Sequence, residues 1–268
     1  MSRIADTVAR LRRCNQPGLV TYTTAGDPDL PRTADILRAL DRAGADILEV
    51  GVPFSDPLAD GPVIQRATER ALAAGGNLTE TLRVVAAVRG DVKAPIVIFS
   101  YANPIVRMGI DRFGREAAAA GVDGVLVLDL PVEEAGDFRR IMGSAGVDTI
   151  FLLSPTTTSD RIRHAAELGQ GFLYCISRLG VTGARDAVSA DARDLIGRIR
   201  AHTDLPVALG FGLSRTEHVA EVGAYADAAV VGSALVALIA GASGSPRLID
   251  DVTAYVGGLK RACEGART

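Results

Sequence analysis

The chain is expected to fold as an α/β protein, a single (β/α)8 TIM barrel over residues 1–268. Eight short apolar runs rich in β-branched residues alternate with segments of helical periodicity, the pattern of parallel strands joined by crossover helices. A length of 268 residues suits one barrel of this kind. A turn also recurs directly before a strand, as Ala43-Gly44-Ala45-Asp46, Ala120-Gly121-Val122-Asp123 and Ala145-Gly146-Val147-Asp148. It reads as a helix ended by a left-handed glycine, then a tight turn. A doubly wound open sheet is the alternative arrangement of the same units.

From the N-terminus, Ile4, Val8 and Leu11 fall at helical spacing among Arg3, Asp6 and Arg10. They predict an extra amphipathic helix without the apolar centre of a signal peptide. Strands are expected at 19–22, 47–50, 96–100, 125–128, 150–153, 172–176, 207–209 and 228–231. Helical faces run through Ile36, Leu37 and Leu40, and through Leu78, Leu82, Val85 and Val88. Ser214 with Glu217 has the pattern of a capping box opening a later helix. The longest intervals between strand starts, 47 to 96 and 172 to 207, place long loops after strands 2 and 6. That is the end where a barrel carries its function. Residues 228–246 carry no charge, but their continuous apolar part is broken by Gly232-Ser233. It would reach roughly 22 Å, short of the roughly 30 Å hydrocarbon layer.

The inventory excludes several chemistries. Lysine and arginine number 29 against 32 acidic residues, which gives no bulk electrostatic reason to bind nucleic acid or a membrane surface. Three cysteines, Cys14, Cys175 and Cys263, suit a reducing cytoplasm and build no disulfide scaffold. Lys93 precedes strand 3 and Lys260 lies in the C-terminal helix, so neither is placed for a Schiff base. His164, His202 and His218 fall in or just after helices, read as surface or helix-end residues, and none ends a strand. No metal is expected. Acid–base work therefore falls on carboxylates, with tyrosines as the remaining candidates.

Along strand 2, Ile47 and Glu49 share one face and Leu48 and Val50 the other. Both faces of a barrel strand are buried, so Glu49 needs either an arginine partner or a raised pKa suited to proton transfer. Asp60 closes the loop after this strand, and an N-cap role competes with a functional one. Pro53, Asp56 and Pro57 either stiffen that loop or form a rigid surface for a partner. Gly210-Phe211-Gly212 after strand 7 and Gly232-Ser233 after strand 8 suit a phosphate, because glycine lets backbone N–H groups approach an anion and a helix begins at Ser233. Thr182 between Gly180 and Gly183 suits either a lid or a plain connection. Tyr22, Tyr101 and Tyr174, at or near the ends of strands 1, 3 and 6, either wall a flat apolar substrate or simply pack.

The stretch 48–62, LEVGVPFSDPLADGP, closely resembles the signature of the tryptophan synthase alpha chain family. Gly26-Asp27-Pro28, Tyr101-Ala102-Asn103-Pro104, Asp129-Leu130-Pro131, Ser177-Arg178, Gly180-Val181-Thr182-Gly183, Gly210-Phe211-Gly212 and Gly232-Ser233 are similar to that family's landmarks and occur in its order. The resemblance implies cleavage of indole-3-glycerol phosphate into indole and glyceraldehyde 3-phosphate. By the same resemblance Glu49 is the principal acid–base and Asp60 accepts the indole N–H. Gly183, Gly212, Gly232 and Ser233 hold the phosphate, Thr182 closes the lid, and Phe211 joins the pocket. It implies no cofactor on this chain. The implied partner is a beta chain carrying pyridoxal phosphate, in a heterotetramer of two alpha and two beta chains, with Pro53, Asp56 and Pro57 near the contact. Tyr22 departs from members that have phenylalanine there, and Arg185-Asp186 falls in a variable stretch. The competing expectations are a free-standing indole-releasing lyase, a non-catalytic phosphate-binding subunit and a sugar-phosphate isomerase.

Overall fold

Each strand pairs in parallel with the next in sequence, and the eighth pairs back onto the first, closing a barrel. This computed structural model describes residues 2–176, 190–210 and 212–267. The strands are β1 (Gly18–Thr24), β2 (Ile47–Gly51), β3 (Ile96–Ser100), β4 (Gly124–Val127), β5 (Asp148–Leu153), β6 (Leu173–Ile176), β7 (Val207–Gly210) and β8 (Ala228–Val231). The helices are α1 (Arg3–Arg13), α2 (Leu30–Arg42), α3 (Pro62–Ala73), α4 (Leu78–Val88), α5 (Ala102–Met108), α6 (Ile110–Ala120), α7 (Gly136–Ser144), α8 (Ser159–Leu168), α9 (Ala190–Arg200), α10 (Thr216–Gly223), α11 (Ser233–Gly241) and α12 (Leu248–Gly265). The closed order excludes the open sheet. The long interval between β2 and β3 holds the loop 52–61 and both α3 and α4, whereas the expected loop after β6 lies outside the described residues.

Alternation along each strand sorts the side chains. Val20, Ile47, Val97, Leu126, Ile150 and Phe172 fill the barrel, while Leu19, Leu48, Val50, Ile96 and Ile98 pack outward under the helices. Ile4 of α1 belongs to the inner cluster, so the N-terminal helix plugs the lower mouth. Ser2 caps α1 by accepting the Ala5 N–H, and its hydroxyl donates to Asp148.

The recurring turn has a structural cause. Gly44, Gly121 and Gly146 have φ of +95°, +83° and +76°. The aspartates that follow seal the lower rim. Asp46 accepts the Leu19 N–H at 2.9 Å and Asp123 accepts the Ile96 N–H at 2.8 Å, the first with Lys260 and Arg10 beside it, the second with Arg3 and Arg89. Lys260 is thus committed to the end opposite the functional loops.

Two local expectations give way. Helix α10 begins at Thr216 with Arg215 as the N-cap residue, so Ser214 and Glu217 form no capping box; Glu217 instead accepts from the Thr216 hydroxyl. The N-cap of α3 is Gly61, which leaves the Asp60 carboxylate free of that duty.

Candidate active site

Glu49 stands in register with Tyr22 on β1 and Val97 on β3, its side chain pointing into the barrel. It is 0% exposed, and neither carboxylate oxygen has a hydrogen-bond partner among the described residues. The expected competing role, a salt bridge to arginine, is absent among the described residues. Burial without compensation pushes the carboxyl from 4.5 up to about 8.

Aromatic rings form a wall on the same inner face. Tyr22 meets Phe99 edge-on at 5.4 Å between centroids, and Phe99 meets Tyr174 at 6.5 Å. Space for the rings is made by missing side chains. A Cβ on Gly51 would lie 2.1 Å from the Tyr22 hydroxyl, and one on Gly210 would lie 2.5 Å from that of Tyr174. Phe99 was not among the expected site residues, although strand alternation from Val97 puts it on the inner face. Burial pushes the Tyr22 phenol well above its ordinary range, and the neighbouring Asp60 and then Glu49 charges push the same way.

Asp60 is held differently. The Tyr101 hydroxyl donates to its Oδ2 at 3.1 Å and accepts the Ala59 N–H at 3.1 Å, while the Asp60 carbonyl accepts from Gln65 at 2.8 Å. Burial raises the Asp60 carboxyl from 3.8 to about 6, and the Tyr101 hydrogen bond opposes that rise. Tyr101 is thus a loop anchor, and its ring lies tilted against Phe54 at 5.2 Å between centroids. Below this loop, Asp27 in the turn after β1 takes Arg70 of α3 bidentately, at 2.8 Å for both bonds.

Across the mouth, α11 opens at Ser233 with Gly232 as its N-cap, so its first-turn N–H groups face the upper end of the barrel. Tyr22 packs beside Gly232, which brings this turn to the aromatic wall. Gly212, with φ +83°, begins the neighbouring turn. Pro53 is buried, Pro57 half-buried and Asp56 exposed along the loop after β2. Thr182, Gly183 and Phe211 lie outside the described residues. His218 departs from the surface reading: it is 5% exposed, and its Nδ1 accepts the Ser214 N–H at 3.4 Å. No helix among the described residues is long and apolar enough to cross a membrane.

Known proteins resemble this arrangement throughout. Curated relatives include the tryptophan synthase alpha chain of Solibacter usitatus (strain Ellin6076), 48% identical over 100% of both chains. That of Geotalea daltonii (strain DSM 22248 / JCM 15807 / FRC-32) is 50% identical over 88% of this chain and 89% of its own. Among solved structures, tryptophan synthase subunit alpha from Legionella pneumophila str. Paris superposes with a TM-score of 0.90 at 35% identity, over 98% of each chain. The Mycobacterium tuberculosis tryptophan synthase in space group F222 gives 0.90 at 37% identity, also over 98% of each. The family model described as tryptophan synthase alpha chain matches residues 8–264. With the closed barrel, the buried glutamate of β2 and full-length likeness in agreement, the chain belongs to the tryptophan synthase alpha chain family.

Proposed function

We infer that this chain carries out the family's lyase reaction, the retro-aldol cleavage of indole-3-glycerol phosphate to indole and glyceraldehyde 3-phosphate, within tryptophan biosynthesis. The observation that carries the reading is Glu49, a buried carboxyl with no hydrogen-bond partner among the described residues, beside an aromatic wall. Holding such a group has no structural benefit; it suits one that gives and takes a proton.

The two carboxyls divide the work because their surroundings pull their pKa values apart. Between about 6 and about 8, Glu49 is protonated and Asp60 ionised. Glu49 donates its proton to indole C3. Asp60 accepts the ring N–H and stabilises the positive charge developing on the indole. The Glu49 carboxylate then takes the proton of the substrate hydroxyl. As the carbon–carbon bond breaks, its electron pair returns to the indole ring, a carbonyl forms, and Glu49 ends protonated as it began.

Tyr22, Tyr174 and Phe99 form the slot for the flat ring, with Tyr101 at its edge. Gly212, Gly232 and Ser233 cradle the phosphate, supported by the N-terminus of α11. By family resemblance Gly183 joins them, Thr182 closes over the substrate and Phe211 completes the pocket. The proposed steps route nothing through a cofactor on this chain. Pyridoxal phosphate belongs to the partner beta chain in the family's scheme.

The beta chain is the proposed partner, in an assembly of two alpha and two beta chains. Supporting this, the large exposed apolar side chains among the described residues, Leu58, Leu72 and Val106, lie on the loop after β2, α3 and α5. Leu72 also lines a cleft of about 510 Å³, together with Pro53 and Asn103, and Asp56 and Pro57 lie on the same loop as Pro53. We place the enzyme in the cytoplasm, with residues 1–268 acting as one barrel domain.

Indole release from indole-3-glycerol phosphate tests the reading, comparing the chain with Glu49→Gln, each with and without a beta chain. The chain contains no tryptophan, so its own indole background is low. Indole from the chain, its loss in the variant and a faster rate with the partner are expected. A fast rate indifferent to the partner favours the free-standing lyase. No indole from folded protein under any condition rejects the lyase reading.

A further inference from the structure

Ser214, in the turn between β7 and α10, has both main-chain polar groups held by side chains from different helices. Its N–H donates to Nδ1 of His218 on α10 at 3.4 Å, and its carbonyl accepts the hydroxyl of Tyr255 on α12 at 2.8 Å. Beside it, Leu213 is 4% exposed and packs into the outer core. The arc 212–214 is thus fixed by an apolar anchor at one residue and by two hydrogen bonds at the next. A β–α turn at a protein surface needs none of this, since water satisfies its backbone.

The two clamping residues are themselves well seated. His218 is almost buried in the first turn of α10 and faces back to the turn it holds. Its acceptor role requires the ring proton on Nε2. Burial raises the Tyr255 hydroxyl to about 12, so it stays a donor throughout the working range. Helix α12 packs against both α10 and α11, so the helix that holds Ser214 also borders the second half of the phosphate cradle.

We propose that His218 and Tyr255 are positioning residues for phosphate recognition, holding the β7–α10 turn so that its backbone N–H groups converge with those of α11 on one anion. The inference rests on the reading above that these two turns bind the substrate phosphate. Backbone donors cannot swing toward an anion as a lysine can. Their geometry must be set before binding, or the ligand's affinity is spent on ordering the turn.

The test uses a non-cleavable indole with a phosphorylated three-carbon chain and the same compound without phosphate. Affinities of both are measured by calorimetry for the intact chain, Tyr255→Phe, His218→Ala and His218→Gln, with KM and kcat for cleavage. Loss of one neutral hydrogen bond is expected to cut the preference for the phosphorylated probe by about three- to tenfold in Tyr255→Phe and His218→Ala. KM rises by a similar factor while kcat stays within about twofold, and His218→Gln, which keeps an acceptor, restores part of the preference. Unchanged preference in folded variants overturns the clamp and leaves the phosphate reading standing. Equal weakening of both probes overturns it too, by showing a merely structural role. If the intact chain does not prefer the phosphorylated probe, the phosphate reading fails and the clamp with it.

Discussion

The Tyr101 hydroxyl donates to Asp60 Oδ2 at 3.1 Å, while among the described residues Glu49 has no such donor on either oxygen. This single difference, added to deeper burial, separates the two carboxyls. A hydrogen bond to the charged form favours ionisation; burial without one favours the acid. Each change to the pair therefore has a direction.

Replacing Tyr101 by Phe removes the group that restrains the rise of the Asp60 pKa. Asp60 then titrates above about 6, and the acidic limb of kcat/KM moves to higher pH. The Ala59 N–H also loses its acceptor, so stability falls by about 1 kcal/mol. Denaturant titration and pH–rate profiles measure both effects. An acidic limb that stays put would show that Tyr101 does not tune Asp60.

Glu49→Gln should make the protein more stable at alkaline pH. The folded pKa of Glu49 is raised above its ordinary value, to about 8, so the folded state holds the proton more tightly than the unfolded chain. Its contribution is present in full below about 4.5 and is lost as pH rises through about 8. At pH 9 the intact protein carries a penalty on the order of 5 kcal/mol that glutamine avoids. Denaturant unfolding at pH 5 and pH 9 is the check. A variant advantage that does not grow with pH contradicts the buried, unpartnered state of Glu49.

Gly51→Ala drives a methyl group into Tyr22, whose hydroxyl lies 2.1 Å and Cζ 2.6 Å from the new Cβ. Overpacking of this kind costs about 1–3 kcal/mol. The displaced ring also disturbs the edge contact with Phe99, so KM for the indole substrate rises. In a Tyr22→Ala background the same change should cost much less, and a double-mutant cycle reads the coupling. Additive effects would mean that the two positions do not meet.

Arg70→Ala leaves Asp27, whose side chain is 2% exposed, without its bidentate partner. An unpaired buried carboxylate costs on the order of 3 kcal/mol. The turn after β1 loosens from α3, which starts just after Asp60. Thermal unfolding should show the loss, and Arg70→Lys should recover only part of it, because an ammonium cannot make the two-pronged contact.

The sequence announced the strands because each is a β-branched run whose ends are marked by turn residues, and 96–100 and 228–231 coincide with β3 and β8. The burial of Glu49 was legible from the sequence, since both faces of a barrel strand are covered, but that its face is the inner one, and that no arginine pairs with it among the described residues, needed the structure. Asp60 was ambiguous because an N-cap and a site carboxylate look alike until Gly61 is seen to be the cap residue. Ser214 misled for a related reason. Its spacing to Glu217 fits a capping box, but the chain turns into α10 one residue later and Ser214 bonds to His218 and Tyr255 instead. Tyr255 reaches it across 41 positions of sequence, and the Tyr101–Asp60 bond spans another 41. No local periodicity encodes such contacts. Phe99 could have been read from the inner face of β3, whereas the room made for Tyr22 by Gly51 needs the strand register.

The most direct test of the account is the pH dependence of kcat/KM for indole release, measured with the intact chain and with Asp60→Asn. The account predicts a bell, rising through about 6 as Asp60 ionises and falling through about 8 as Glu49 loses the proton it must give to the indole ring. Asp60→Asn should be slow and lack the acidic limb while keeping the alkaline one. A rate that instead climbs through pH 8 would mean that Glu49 enters the cycle as a base, contradicting the assignment of acid and anion to the two carboxyls.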